Sequence, residues 1–231
     1  MKAIVSGATS GIGKAIAVAL VNEGWELAVI SRDRGRLEQL LLELSSSGEK
    51  HIGYVGDLTI ENDAKGFVND IKSEWDFPDM IVNCSGVFEE MSASELSENS
   101  INELLQKNFF SAFRLTSPWL SSFKERKAGT ILFISSIVAK EPRSSAAAYS
   151  LSKNMLNEYA TLLADELREF GVKVSRILPG SVNTPSWKDS GIPVDEFVQA
   201  EEIAKIVMML VKLGAGSWME EITIRPLNRK W

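Results

Sequence analysis

The stretch Lys2-Ala3-Ile4-Val5-Ser6-Gly7-Ala8-Thr9-Ser10-Gly11-Ile12-Gly13 decides how the chain is read. Residues 2–5 read as a buried strand. Three glycines follow, spaced G-x-x-x-G-x-G. Over residues 12–23, Ala15, Ile16, Ala19 and Leu20 then recur on one helical face, and Gly24 stops the helix. Small residues at a strand-to-helix turn let a phosphate approach the backbone closely. The helix that follows offers unpaired N–H groups and its positive end. Many such turns need glycine for geometry only. The strand–turn–helix context points to phosphate binding.

The same alternation runs outward from this unit. Strands are predicted at 26–31, 51–55, 79–83, 130–135, 172–178 and 220–225. Helices are predicted at 34–45, 60–74, 98–125, 147–170 and 201–213. Leu37, Leu40, Leu41 and Leu44 carry the helical spacing in the first of these. Pro118 is expected to kink the 98–125 helix. Repeated strand–helix alternation predicts an α/β fold with a doubly wound parallel sheet. No repeat, linker or low-complexity tract divides it, so residues 1–231 are expected to form a single domain.

Residues 181–199 lack periodicity and are rich in Ser, Pro, Gly and Asn. Ligands in such folds sit beyond the carboxyl ends of the strands. This stretch is therefore either an ordinary surface loop or a substrate lid, and its position favours the lid. Trp187 falls within it and is a candidate for the substrate pocket. Trp119 and Trp231 are expected to serve packing or contacts between subunits.

Composition sets outer limits. The 231 residues are 45% apolar and 24% charged, with a net charge of −6. Nothing in that balance suggests general affinity for nucleic acid or anionic membranes. Cys84 is the only cysteine, so no intrachain disulfide forms. The start of the chain lacks a signal-peptide pattern. No apolar run approaches the ~18 to 20 residues of a membrane span. A cytoplasmic protein is expected. His51 is the only histidine and has no neighbouring ligand cluster, so no metal site is predicted.

The glycine loop resembles the cofactor loop of the classical short-chain dehydrogenases/reductases, usually T-G-x-x-x-G-x-G. Further segments match in the family's order. Asp57-Leu58-Thr59 resembles the adenine-contacting segment. Asn83-Cys84-Ser85-Gly86 resembles N-N-A-G with two substitutions. Ser135-Ser136 ends the 130–135 strand, and Tyr149-Ser150-Leu151-Ser152-Lys153 resembles Y-x-x-x-K. Pro179-Gly180 and Thr184 resemble the P-G-x-x-x-T segment near the nicotinamide. The match is good over residues 1–185. Beyond it, Ile222-Thr223-Ile224-Arg225-Pro226 replaces the glycine-rich end of many members.

This resemblance implies a Rossmann-type fold and a nicotinamide-dependent oxidoreductase. It implies cofactor contacts at Gly7, Thr9, Ser10, Gly11, Ile12 and Gly13, at Ser31, Arg32, Asp57 and Leu58, and at Asn83, Ser85 and Gly86. It also implies contacts at Tyr149, Lys153, Pro179, Gly180, Val182 and Thr184. The catalytic set implied is Ser136, Tyr149 and Lys153, with Asn108 helping to hold a water that links the lysine to solvent. Nicotinamide would deliver a hydride to a carbonyl carbon while Ser136 polarises the oxygen and Tyr149 protonates it. Ser135 competes with Ser136, and the thirteen-residue spacing to Tyr149 selects Ser136.

Tyr149 and Lys153 are four residues apart and share a helical face. A free tyrosine titrates near 10. At an effective dielectric of ~20, an ammonium ~4 Å away is worth roughly 4 kcal/mol, or about 3 pK units as an upper guide. Lys153 is thus expected to draw the phenol toward the useful range. Taken alone, such a pair is usually just an exposed helical pair. The glycine loop and Ser136 give it a cofactor and a substrate oxygen.

Ser31 stands where NAD-using relatives often have aspartate, and Arg32 is placed to meet a 2′-phosphate. Asp33 competes, either as a ribose ligand or as the start of the next helix. The preference predicted is NADP(H), with NAD(H) the alternative. A non-catalytic NADP(H) sensor of the same fold is the alternative function. An epimerase or dehydratase would need a larger C-terminal substrate region. The partner expected is a small carbonyl or alcohol substrate. An acyl-thioester ketone, a hydroxy acid, a pterin and a sugar all remain open. The family also implies a homodimer or homotetramer.

Overall fold

The computed structural model describes residues 1–45, 48–187, 194–214 and 216–228. Its first half runs β1 (Lys2–Ser6), α1 (Gly11–Asn22), β2 (Glu26–Ser31), α2 (Arg34–Leu44), β3 (Ile52–Val55), α3 (Glu61–Glu74) and β4 (Met80–Asn83). The chain continues through α4 (Glu98–Leu105), α5 (Ser111–Thr116), α6 (Leu120–Arg126), β5 (Thr130–Ile134) and α7 (Ala147–Arg168). It ends with β6 (Lys173–Pro179), β7 (Val182–Asn183), β8 (Val198–Gln199), α8 (Ala200–Lys212) and β9 (Glu221–Ile224).

Seven strands form one parallel sheet in the order β3-β2-β1-β4-β5-β6-β9. These strands read as apolar runs because both faces of the sheet are covered. Side chains alternate between the faces. Ala3, Val5, Leu27, Val29, Leu132 and Ile134 pack with α1, α2 and α8 residues such as Ile16, Leu20, Leu37 and Val207. Ile4, Ala28, Ile30, Ile131 and Phe133 face the other layer, with Phe67, Leu115, Trp119 and Leu156. The predicted doubly wound, single-domain architecture is the one observed.

Strand order reverses between β1 and β4, whose registers run Val5 to Val82. A crevice opens beyond their carboxyl ends, as such reversals require. Ser6 fixes its floor. Its buried hydroxyl donates to the Val82 carbonyl at 3.4 Å and accepts the N–H groups of Cys84 and Ser85 at 3.0 and 3.1 Å.

The 98–125 stretch departs from the continuous helix expected. Residues Gln106–Phe110 form a π-helical turn between α4 and α5, and Ser117–Trp119 form a 3-10 turn before α6. Pro118 cannot donate an N–H, which accounts for the second interruption. π-turns insert a residue and recur at functional sites. Here the turn carries Asn108, which is fully buried.

The 181–199 stretch is more ordered at its ends than its composition suggests. β7 and β8 pair in parallel, and the Asn183 amide donates to Gln199 Oε1 at 2.9 Å. Residues 188–193 of this stretch, and Trp231, lie outside the described residues. Trp119 is a core residue with no exposed surface. His51 has a structural place: its Nδ1 accepts the Leu27 N–H at 3.1 Å. No helix among the described residues is long and apolar enough to cross a membrane.

Candidate functional site

A cleft of about 450 Å³ lies at the carboxyl ends of β1, β2, β4, β5 and β6. Gly7, Thr9, Ser10, Gly11, Ile12 and Gly13 line its centre. Gly7 has φ +68°, and a Cβ on it would meet the Cys84 carbonyl and Ser85 nitrogen at 3.1 Å. Gly13 lets α1 press against the loop: a Cβ there would come within 2.2 Å of the Gly7 carbonyl oxygen. Ser10 is the N-cap of α1 but makes no side-chain cap bond, so the helix start keeps N–H groups free for an anion.

Ser31, Arg32, Asp57 and Leu58 line one end of the cleft. Arg32 reaches Asp57 at 3.5 Å and is mostly exposed. Asp33 caps α2, accepting the Arg36 N–H at 3.0 Å. Arg36 lines the same end and pairs with Asp33 at 3.4 Å.

At the other end, α7 carries Tyr149 in its first turn and Lys153 one turn on. Ser136 lies two residues past β5, at the N-cap of a 3-10 turn over Ile137–Ala139, and enters the same cleft. Ser135 also lines it, but its hydroxyl turns to the Lys153 carbonyl at 3.5 Å, whereas Ser136 hydrogen-bonds Tyr149. The Lys153 ammonium, 5% exposed, donates to the Ile134 carbonyl at 2.9 Å and stands 5.9 Å from the Tyr149 ring centroid. Ser85, Gly86, Pro179, Gly180, Val182 and Thr184 complete this end.

Two predicted residues lie behind the cleft instead of in it. Asn83 is buried, and its amide donates to Thr116 Oγ1 at 2.9 Å and the Leu132 carbonyl at 3.4 Å. It ties β4 to its neighbours and does not line the cleft. Asn108 accepts the Val87 N–H at 2.7 Å and donates to the Val87 carbonyl and Ser152 Oγ at 3.0 and 2.9 Å. A Cβ on Gly86 would crowd both Asn108 Oδ1 and Lys153 Nζ, at 3.0 and 3.4 Å. Asn108 therefore backs the site through Val87 and Gly86.

Electrostatics correct one expectation. Spacing alone predicts that Lys153 draws the Tyr149 phenol down. Burial instead holds the phenol above its ordinary value, and the hydrogen bond with Ser136 only opposes this. Burial also pushes Lys153 down to about 8 and the Cys84 thiol up to about 12. Near neutral pH, Tyr149 is protonated beside a mostly charged Lys153, and Cys84 is held as the thiol.

A family model described as short chain dehydrogenase matches residues 1–193. The chain belongs to the short-chain dehydrogenase family. An uncharacterized oxidoreductase of Staphylococcus haemolyticus is 27% identical over 226 residues, covering 97% of this chain and 96% of its own. An alcohol dehydrogenase from the archaeon Thermococcus sibiricus, complexed with 5-hydroxy-NADP, is similar at 26% identity and a TM-score of 0.90. That match covers 100% of this chain and 98% of the other. Actinorhodin polyketide ketoreductase with NADPH is similar at 27% identity and a TM-score of 0.87, covering 97% and 95%. This member of the short-chain dehydrogenase family is thus an oxidoreductase, with a fold that binds nicotinamide cofactors. The uncapped start of α1 and the side-chain-free glycine floor fit a dinucleotide.

Several residues of this short-chain dehydrogenase's cleft escape motif reading. Phe88 meets Tyr149 edge-on at 5.1 Å and stacks on Trp187 at 5.9 Å, and Trp187 meets Phe197 at 5.1 Å. Arg36 and Arg143 also line the cleft. Trp187 is the pocket candidate read within 181–199, and of the others only Arg36 leaves a sequence trace, as a second arginine in the first turn after Asp33.

Proposed function

We propose that the protein interconverts a carbonyl compound and a secondary alcohol, using NADP(H). The observation that carries this reading is the convergence of Ser136, Tyr149 and Lys153 at one end of a cleft whose middle is a glycine loop. Reduced nicotinamide, when bound, supplies a hydride to the carbonyl carbon. Ser136 donates to the substrate oxygen, and Tyr149 gives that oxygen its proton, so the product is a neutral alcohol. Lys153 sets the charge beside the phenol and would hold the cofactor ribose. Asn108 keeps the Val87–Gly86 turn clear of Lys153 through its two bonds to Val87. Oxidation of the alcohol reverses these steps.

NADP(H) is favoured over NAD(H) by two arginines at the adenine end. Arg32 and Arg36 both line it, and Asp33 is engaged as a helix cap. An unengaged aspartate would instead suit a ribose hydroxyl. The two solved relatives named above carry NADP-type cofactors, while others of the same fold carry NADH or NAD, so the arginines carry the preference. The 181–199 stretch is proposed as the substrate lid, with Trp187 on its inner side. A homodimer or homotetramer is proposed as well, because Leu151, Met155 and Leu162 leave an exposed apolar strip on α7.

An NADPH-oxidation screen across carbonyl compounds, repeated with Tyr149→Phe, tests the reading. Turnover that falls by about a thousandfold or more in the variant is expected. Near-wild-type turnover in Tyr149→Phe would overturn it.

A further inference from the structure

We infer that the carbonyl substrate carries an oxyanion group, carboxylate or phosphoester, which Arg143 receives. This rests on the cleft being the site of carbonyl reduction. Seven charged side chains line the cleft. Six of them have partners. Arg32 pairs with Asp57, Arg36 with Asp33, and Lys107 with Glu89 at 2.9 Å. Lys153 is held by the Ile134 carbonyl. The guanidinium of Arg143 has no hydrogen bond or ion pair with any described residue.

Surface lysines such as Lys127 and Lys205 also lack a side-chain partner among the described residues, and what marks Arg143 is that it lines the cleft. The isolation within the cleft is local. The two carboxylates in the lining, Asp33 and Asp57, both sit at the far end with their own arginines. Beside Tyr149 the lining offers cations and apolar walls: Phe88, Val138 and Trp187. Arg143 itself is exposed, so an anion would meet it at the mouth of the cleft.

The backbone holds Arg143 where such a bond is useful. Its N–H donates to Ser150 Oγ at 3.1 Å, next in the chain to Tyr149, and its carbonyl accepts the Ala146 N–H at 3.1 Å. The following carbonyls, of Ser144 and Ser145, accept from Ala93 and Met91 at 2.9 and 3.0 Å. The segment is thus stitched both to α7 and to the strand-like stretch after Phe88. These bonds fix the backbone that carries Arg143 into the cleft lining, and its planar guanidinium matches carboxylate or phosphate oxygens in pairs. A neutral ketone gains nothing from it.

The test uses the full chain with NADPH and matched substrates: short oxo acids against their methyl esters, and phosphorylated hydroxyketones against the free ketones. The anionic member of one pair is expected to be preferred, and the preferred pair names the group. Arg143→Gln should reduce the anion-to-neutral ratio of kcat/KM by roughly 10- to 100-fold, mostly through KM, with Arg143→Lys retaining part of it. Equal use of both members by the wild type, or an equal fall for both in Arg143→Gln, overturns the inference. If no carbonyl is turned over at all, the reductase reading fails. Calorimetric titration of the same anions onto the NADPH-bound protein then decides the anion site by itself. Binding lost in Arg143→Gln sustains it, and binding that is absent or unchanged overturns it.

Discussion

Lys153 donates to the Ile134 carbonyl at 2.9 Å from a position only 5% exposed. Its proton is held below about pH 8 in the folded chain and below 10.5 once unfolded. Between those values the unfolded chain carries the extra proton, so stability rises with pH across that window. Below pH 8, burying the charge costs about 3 kcal/mol. Lys153→Met should therefore be more stable than wild type at pH 7, by about 1 to 3 kcal/mol after loss of the Ile134 hydrogen bond. The gap should shrink by pH 10. Urea unfolding at both pH values measures it, and a variant less stable by the same amount at both would count against the buried charge.

The two directions of reaction should respond oppositely to pH. Reduction needs the Tyr149 proton and a charged Lys153, so kcat/KM for the carbonyl should decline above about pH 8. Oxidation needs Tyr149 deprotonated, and burial raises the pH at which that happens. Its rate should keep climbing into the alkaline range. Steady-state profiles from pH 6 to 10 in both directions check this. An oxidation optimum below pH 7 would contradict it.

Cofactor preference should reside in Arg32 and Arg36. Replacing both with alanine should lower kcat/KM for NADPH by roughly 10- to 100-fold and leave NADH within about threefold. The ratio of the two constants is the measurement. A double variant that loses both cofactors equally would show that these side chains do not read the 2′-phosphate.

Gly13→Ala should be severe for a steric reason, because the new Cβ would lie within 2.2 Å of the Gly7 carbonyl oxygen. A loss of about 1 to 3 kcal/mol is expected, together with weakened NADPH binding as the loop is pushed out of place. Gly24→Ala is the control. Gly24 also has positive φ, at +78°, but its Cβ would meet nothing within 4 Å. It should cost about 1 kcal/mol and leave NADPH binding alone. Thermal unfolding and cofactor titration of the two variants separate loop geometry from general strain.

The seven strands and the glycine loop were readable because their causes are local. A parallel strand covered on both faces must be an apolar run, and a turn pressed against a helix must lack a Cβ at Gly13. Asn83 shows the limit of a motif, since position in a conserved-looking tetrapeptide does not reveal that its amide points away from the cleft toward Thr116. The π-turn at Asn108 leaves the apolar pattern of 98–125 almost unchanged, so periodicity passed over it. The i, i+4 spacing reports the proximity of Lys153 to Tyr149, whereas the burial that raises the phenol involves neighbours such as Phe88, distant in the chain. Arg143 had no local signature either. Its isolation exists only once every other charge in the cleft has found its partner.

The pairing of β7 with β8 has a further consequence. The chain departs from the main sheet and returns to α8 through two points held side by side, Asn183 and Gln199. What lies between can change in length and chemistry while the register of β6 with β9 stays put. Of that stretch Thr184, Pro185, Ser186 and Trp187 line the cleft, so exchanging it would alter one wall while leaving Tyr149 and the glycine loop where α7 and β1 hold them.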